Sequence, residues 1–454
     1  MRSVLFLSYY FPPVGGAGAQ RPAAFVRYLP RSGYQPIVVT GPGPAHSRWT
    51  PQDETLLAKL PEGTQVRRVP GPVPSDTGFV RERVGRYLGL RTGWDRWWID
   101  GATTCAADLG SETDLVYAWM SPFSSAVVAS RIAKKLRRPW IADLGDPWAL
   151  DEMMVYPTRA HRRLAIRQMR DGLQSAAAIV MSTQEAVFRV REAFPEFDDK
   201  PIVAIPNGFD SDDFGGPAPD RDPNVFRIVH TGYFHTQLGL RHRNAAPMRR
   251  LLGGAVPGVD FLTRSHYFLL EAVDRLLQED PSLERRLEIH LAGVLSEVDR
   301  ELAEGSPVTR LHGYVSHEKT LELLRTADLL FLPMQDLRAG VRATIVPGKT
   351  YEYLATGRPI LAAVPDGDAR DLLAETGTGL ICGPGDVDGM VRILRDQFER
   401  VRLGLPPPET RHDLVSRYDY RHLTRALAEV FDEVDGPHGQ VVGSVRRPVA
   451  PAGR

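Results

Sequence analysis

Short apolar runs alternate with amphipathic stretches along most of the chain, the pattern of parallel α/β units. "SVLFLS" (3–8), "QPIVVTG" (35–41), "LVYAWM" (115–120), "PWIADL" (139–144), "AAIVMS" (177–182) and "PIVAIPN" (201–207) predict strands. Residues 19–29, 124–136 and 161–176 carry apolar positions at helical spacing between them. The pattern then restarts. "FRIVHTG" (226–232), "LEIHLAG" (287–293), "VTRLHG" (308–313), "DLLFLP" (328–333), "PILAAV" (359–364) and "GLICG" (379–383) predict a second set of strands. Helices at 266–279, 296–304, 317–326, 349–356, 368–375 and 386–399 separate them. "PNGFDSDDFGGPAPDRDP" (206–223), rich in Pro, Gly and Asp, lies between the sets. The expectation is an α/β protein of two Rossmann-like, doubly wound parallel-sheet domains facing a cleft. They span 1–207 and 224–412, with a linker at 208–223, a C-terminal helix within 413–435 and a disordered tail at 436–454.

Ligands of such sheets lie beyond the carboxyl ends of the strands, so the segments after each strand come first. In "IVPGKTYEYLATGRPIL" (345–361), Pro347-Gly348 opens a short helix and Gly357 closes it. Lys349 and Glu352, spaced i,i+3, share the face of its first turn. Free backbone N–H groups also point there. A cation beside such a turn suits a phosphate, and a carboxylate suits a diol. A salt bridge on a solvated helix start accounts for the same pair of residues.

The loop "FPPVGGAGAQRPA" (11–23) offers Gly15 and Gly16 for close approach of backbone to a ligand. It is a poor dinucleotide fingerprint: the third glycine position is Arg21, and the second strand ends "VVTGPG" with no acidic residue for a ribose. A tight βα turn is the plain alternative. "GDPWALD" places Asp143 and Asp146 at or just past a strand end, where carboxylates bind hydroxyls or cap a loop. After Gly232, the stretch 235–264 is long for a βα connection and carries Arg241, Arg243, Arg249, Arg250 and Arg264. It reads as a basic, anion-facing lid or as a solvated insertion. "LHGYV" brings Gly313 and Tyr314 to another strand end, as a base contact or a simple turn.

Composition narrows the classes. Apolar residues make up 43% and charged residues 25% of the 454, ordinary for a globular protein. A formal net charge of zero argues against a nucleic-acid partner. Two cysteines far apart imply no disulfide framework and fit a reducing cytoplasm. No apolar run approaches the ~18–20 residues of a membrane span, and "VLFLSYYF" reads as a first strand rather than a signal peptide. HExxH, CxxC, GxSxG and GxxxxGK[ST] patterns are absent, so no metal is expected. "TRAHRRLAIRQMR" (158–170) is a basic helix, either a solvated face or one resting on anionic lipid at the inner face of a membrane. Fifty arginines against six lysines suggest that arginine stands in for lysine here.

Taken together, "PPVGGAGAQR", "VAIPNGFDSDDF", "LHGYVSHEKTLELLRTADLLFLP" and "IVPGKTYEYLATGRPIL" resemble the GT-B glycosyltransferases, most closely the retaining family-four group. The resemblance covers roughly 1–434. It implies a nucleoside diphosphate sugar as donor substrate, no cofactor, and a glycan, lipid-linked or small-molecule acceptor on the first-domain side. Glu352 matches the glutamate that binds the ribose hydroxyls, and the turn with Val346 and Gly348 matches the backbone donors to the diphosphate. Arg264 stands where relatives carry a diphosphate-binding lysine. Two departures are visible. Thr344 stands where many relatives have a further glutamate, and Tyr233 follows Gly232 where many have arginine, a role Arg241 or Arg243 would then take. Read together with the residues themselves, the resemblance puts Arg264, Lys349 and the backbone at 346–349, with Arg241 or Arg243, on the leaving diphosphate, and Asp143 or Asp146 in position to orient substrate. An epimerase of the same fold and a non-catalytic sugar-nucleotide binder are the rival readings.

Overall fold

A computed structural model describes residues 1–43, 51–71, 90–109, 112–216, 219–252 and 258–435. The chain forms two parallel sheets. The first holds β1 (Arg2–Ser8), β2 (Tyr34–Thr40), β3 (Gln65–Arg68), β4 (Leu115–Trp119), β5 (Trp140–Leu144), β6 (Ala178–Met181) and β7 (Ile202–Ala204), in the order β3-β2-β1-β4-β5-β6-β7. The second holds β8 (Phe226–Thr231), β9 (Leu287–Ala292), β10 (Thr309–Gly313), β11 (Leu329–Pro333), β12 (Ile360–Ala363) and β13 (Gly379–Cys382), in the order β10-β9-β8-β11-β12-β13. Each order reverses direction once, between β1 and β4 and between β8 and β11. At these switch points the connections leaving adjacent strands run to opposite faces of the sheet and leave a crevice beyond the strand ends.

The strands are apolar because helices cover both faces. β4, β5, β6, β11 and β12 are buried at every position. Every run predicted as a strand is one. β3 was not predicted: it is a four-residue edge strand whose side chains alternate between exposed and half-buried, so it presents no apolar run. The helices Gly93–Cys105 and Gln184–Ala193 were also not predicted. The basic stretch read as a lid or a solvated insertion contains the helix Thr236–Leu252.

The last helix, Tyr420–Asp435, returns to the first domain. Leu423, Leu427 and Phe431 pack in one core with Val4, Phe6, Leu115 and Tyr117. The tail expected at 436–454 lies outside the described residues.

Candidate active site

The second sheet's switch point gathers the charged groups. β8 ends at Gly232, whose N–H donates to the Ala292 carbonyl at 2.7 Å. Gly232 has φ +113°, and a Cβ there would lie 2.6 Å from Lys349 Nζ. Only glycine permits that backbone and that approach together. Lys349 opens the helix Lys349–Thr356 with Gly348 as its cap; in the first turn the Thr350 and Tyr351 N–H groups already donate to the Pro347 and Gly348 carbonyls, at 2.9 and 3.3 Å. Its Nζ lies 3.1 Å from His230 Nε2, while His230 Nδ1 bonds the Phe331 carbonyl at 2.9 Å. Burial, followed by the Lys349 charge, holds His230 well below the usual imidazole range, so it is neutral. Burial, followed by the Arg264 charge, lowers Lys349 to about 7, although Glu352 pulls the other way.

Arg264 faces the same space. Its Nη1 donates to Gln335 Oε1 at 3.2 Å and touches the Met153 sulfur at 2.9 Å. Neither Arg264 nor Lys349 forms an ion pair with a carboxylate among the described residues. An arginine, a lysine that titrates near 7, a neutral imidazole and a helix N-terminus therefore share one crevice, an arrangement that suits a polyanion, which would hold the lysine charged.

Glu352 is buried and already engaged. His317 Nε2 lies 2.8 Å from its Oε1, and Gln20 Nε2 of the first domain donates to the same oxygen at 3.3 Å. Burial opposes a charge on His317, but the hydrogen bond and charge of Glu352 outweigh it and raise the imidazole's pKa. Asp53 of the first domain accepts from the His317 N–H at 2.9 Å, and Lys59 pairs with Asp213 beside it. A cavity of about 40 Å³ lies here, lined by Gln20, Lys59, Asp213, His317 and Glu352 among others. Gly15 abuts this junction: a Cβ there would fall 2.3 Å from the Tyr314 hydroxyl and 2.8 Å from Asp53 Cβ. Tyr314 is half-exposed, and Val346 is buried just before the helix; Gly16 and Gly313 adopt positive φ of 86° and 66° in the turns next to Gly15 and Tyr314.

The first domain contributes carboxyl groups opposite the cations. Asp146 follows β5, is exposed, and lies within electrostatic reach of Arg264 and Glu152. Desolvation raises its pKa, Arg264 opposes the rise and Glu152 adds to it. Asp151 is pushed up to about 8 by burial and then by Asp146 and Glu152.

Two expected residues serve elsewhere. Asp143 is fully buried, bonded to Arg21 Nε at 3.0 Å and Nη2 at 3.2 Å, and to the Tyr117 hydroxyl. Arg21 in turn donates to the Ile205 and Pro206 carbonyls at 2.9 and 2.6 Å. Asp143 thus ties the first glycine-loop helix to the segment entering the linker, and no oxygen of it faces the crevice. Arg243 pairs with Asp260, so it does not stand free as the anion contact expected of it. Arg241 is exposed on the same helix, and the side chains of Arg249 and Arg250 lie outside the described residues.

Several residues of the site carried little sequence signal. His230 stood out only as a polar residue inside a strand. Gln20, His317, Gln335 and Glu152 sit in ordinary helices and loops, and only the folded chain brings them together.

With this geometry in place, the comparisons are specific. Residues 261–399 match the family model described as glycosyl transferases group 1. Over 95% of its length the chain superposes on all of Anabaena HepE in complex with UDP and glucose, with 17% identity and a TM-score of 0.58. It superposes equally widely on sucrose-phosphate synthase from Thermosynechococcus elongatus, covering 99% of that chain, with 13% identity and a TM-score of 0.62. A candidate UDP-N-acetylglucosamine 2-epimerase from Listeria monocytogenes shares 14% identity, with a TM-score of 0.54 over 95% of this chain and 96% of that one. No curated protein sequence matches the chain. The fold is that of the GT-B glycosyltransferases, two Rossmann-like domains across a crevice.

Proposed function

We propose that the protein transfers a sugar from a nucleoside diphosphate sugar to an acceptor hydroxyl, with retention at the anomeric carbon. The observation that carries this reading is the pair Arg264 and Lys349, an arginine and a lysine that have no carboxylate ion-pair partner among the described residues, at the β8/β11 switch point. They match what the reaction demands. As the glycosidic bond breaks, the leaving diphosphate gains charge, and preorganised cations and N–H groups stabilise it without a metal. Among the described residues no group of three or more His, Cys, Asp or Glu is arranged to hold a metal ion. Lys349, the helix start at Val346–Gly348 and Arg264 bind the diphosphate. Glu352 exchanges its bonds to His317 and Gln20 for the ribose hydroxyls, and Tyr314 and Gly313 border the base.

The carboxyl groups of Asp146 and Asp151 face the crevice from the acceptor side and orient the incoming hydroxyl. Retention follows if acceptor and leaving phosphate lie on one face of the sugar, the phosphate oxygen taking the hydroxyl proton. The acceptor is a glycan, a lipid-linked sugar or a small molecule. Exposed Arg159, Arg162, Arg163 and Arg167, beside exposed Leu164, give the helix Arg159–Leu173 a face suited to an anionic membrane surface. No helix among the described residues is long and apolar enough to cross one.

The test is a thermal-shift panel of nucleoside diphosphates, followed by calorimetry on Glu352→Gln. Charge-assisted hydrogen bonds contribute about 1.5–3 kcal/mol, so the tightest nucleotide should bind at least about tenfold more weakly to the variant. Unchanged binding removes Glu352 from the ribose. Product analysis with the matching nucleotide sugar separates a glycoside from an epimerised donor, and transfer should survive EDTA.

A further inference from the structure

Glu152 belongs to the first domain, yet its carboxylate is engaged by the second. Gln335 Nε2 donates to its Oε1 at 3.0 Å. The Thr344 N–H lies 3.2 and 3.3 Å from its two oxygens, and the Thr344 hydroxyl donates to Oε2. Glu152 is 6% exposed, and Gln335 and Thr344 are fully buried. The other end of the Gln335 amide accepts from Arg264 Nη1 at 3.2 Å. Thr183 of the first domain also holds this loop, donating to the Thr344 carbonyl at 2.6 Å.

A primary amide has ends of opposite sense, one donating and one accepting. With Nε2 turned to a carboxylate, Oε1 must face the other way, toward the guanidinium. The Arg264 guanidinium, which only donates, favours the same sense; without the carboxylate it would hold the amide alone, and a reversed amide would present N–H groups to it. The carboxylate therefore helps set the orientation of a group that in turn sets a cation. It does so across the domain boundary, since Glu152 follows β5 of the first sheet and Gln335 follows β11 of the second.

We propose that Glu152 is a positioning residue. Through Gln335 it aims Arg264 at the diphosphate, and it does so only while the two domains are together. The proposal rests on the reading of Arg264 as a diphosphate contact.

The experiment is a double-mutant cycle read by calorimetry, using whichever of UDP, GDP, ADP and dTDP binds tightest and its nucleoside monophosphate. The readout is the preference for diphosphate over monophosphate. A merely structural role for Glu152 would weaken both nucleotides together and leave this ratio alone. Glu152→Gln should lower the ratio about tenfold, the scale of one charged hydrogen bond, and should lower it no further in an Arg264→Ala background. Thr344→Val, which removes one donor from Glu152 and leaves Gln335 intact, should shift the ratio the same way by less. It carries the test if Glu152→Gln does not fold. An unchanged ratio in these variants, or losses that add in the cycle, overturns the proposal. If wild-type protein binds none of the four nucleotides, the reading of function fails first and this inference with it.

Discussion

Arg264 and Arg243 leave the same basic stretch and meet different surroundings. Arg243 is exposed and paired with Asp260, and an exposed pair of this kind contributes about 0–1 kcal/mol. Arg264 points between the domains and has no carboxylate within ion-pair distance among the described residues. If it meets the charge that develops on the diphosphate, Arg264→Ala should cut kcat by about 10²–10³, the usual loss when one preorganised contact is removed. Arg243→Ala should stay within about threefold of wild type. Steady-state kinetics on the two variants decide, and equal losses would place the helix Thr236–Leu252 closer to the substrate than its ion pair suggests. The sequence placed both arginines after β8. Charge and position alone could not separate them, because their partners, Asp260 and Gln335, are set by the fold; only the resemblance singled out Arg264. Asp143 teaches the same lesson in reverse: a carboxylate at a strand end looked available and is locked to Arg21.

At the scale of elements, the end of β8 and the start of the helix Lys349–Thr356 are pressed together, with Gly232 and Lys349 at the contact. The contact leaves Lys349 near pKa 7, well below the ordinary lysine value. The sign follows. Above pH 7 the folded, unliganded protein lacks a proton that the unfolded chain still binds up to about pH 10, so this lysine adds stability as pH rises through that window. A bound diphosphate restores the charge on Lys349. Binding at pH 8 should therefore take up close to one proton, and affinity should fall as pH rises above 7. Calorimetry in buffers of different ionisation enthalpy measures the uptake, and Lys349→Arg should abolish it. Buffer-independent heats would show that Lys349 does not meet the ligand.

This helix was legible from Pro347, Gly348 and Gly357, which fix its ends through local backbone chemistry. Thr236–Leu252 was not: its sequence carries a proline and no continuous apolar stripe, so periodicity gave no helix.

For the molecule as a whole, the chain closes on itself. The Tyr34 hydroxyl donates to Asp432 at 2.7 Å and Arg2 pairs with Asp435 at 3.2 Å, so the last helix belongs to the first domain's core. Phe431 and Leu427 are fully buried there. Phe431→Ala should cost about 3–5 kcal/mol, the range for emptying a buried aromatic site. The loss should appear in the first domain, although the residue follows the whole of the second in sequence. Hydrogen exchange should accelerate in β1 and β4 and change little in β11 and β12. Equal acceleration in both sheets would mean that the domains unfold as one unit.

The sequence by itself determined every strand but the edge strand β3, most of the helices between them, the division into two sets and the turn that opens the site helix. These follow from periodicity and from glycine and proline geometry, which act over a few residues. Only the tertiary structure decided which charges stay free. Arg21 meets Asp143 across 122 positions, Glu152 meets Thr344 across 192, and Gln20 meets Glu352 across 332. A carboxylate or guanidinium reads the same in any sequence. Whether it is paired in a core or left facing a crevice depends on what distant chain packs against it, and no local pattern encodes that.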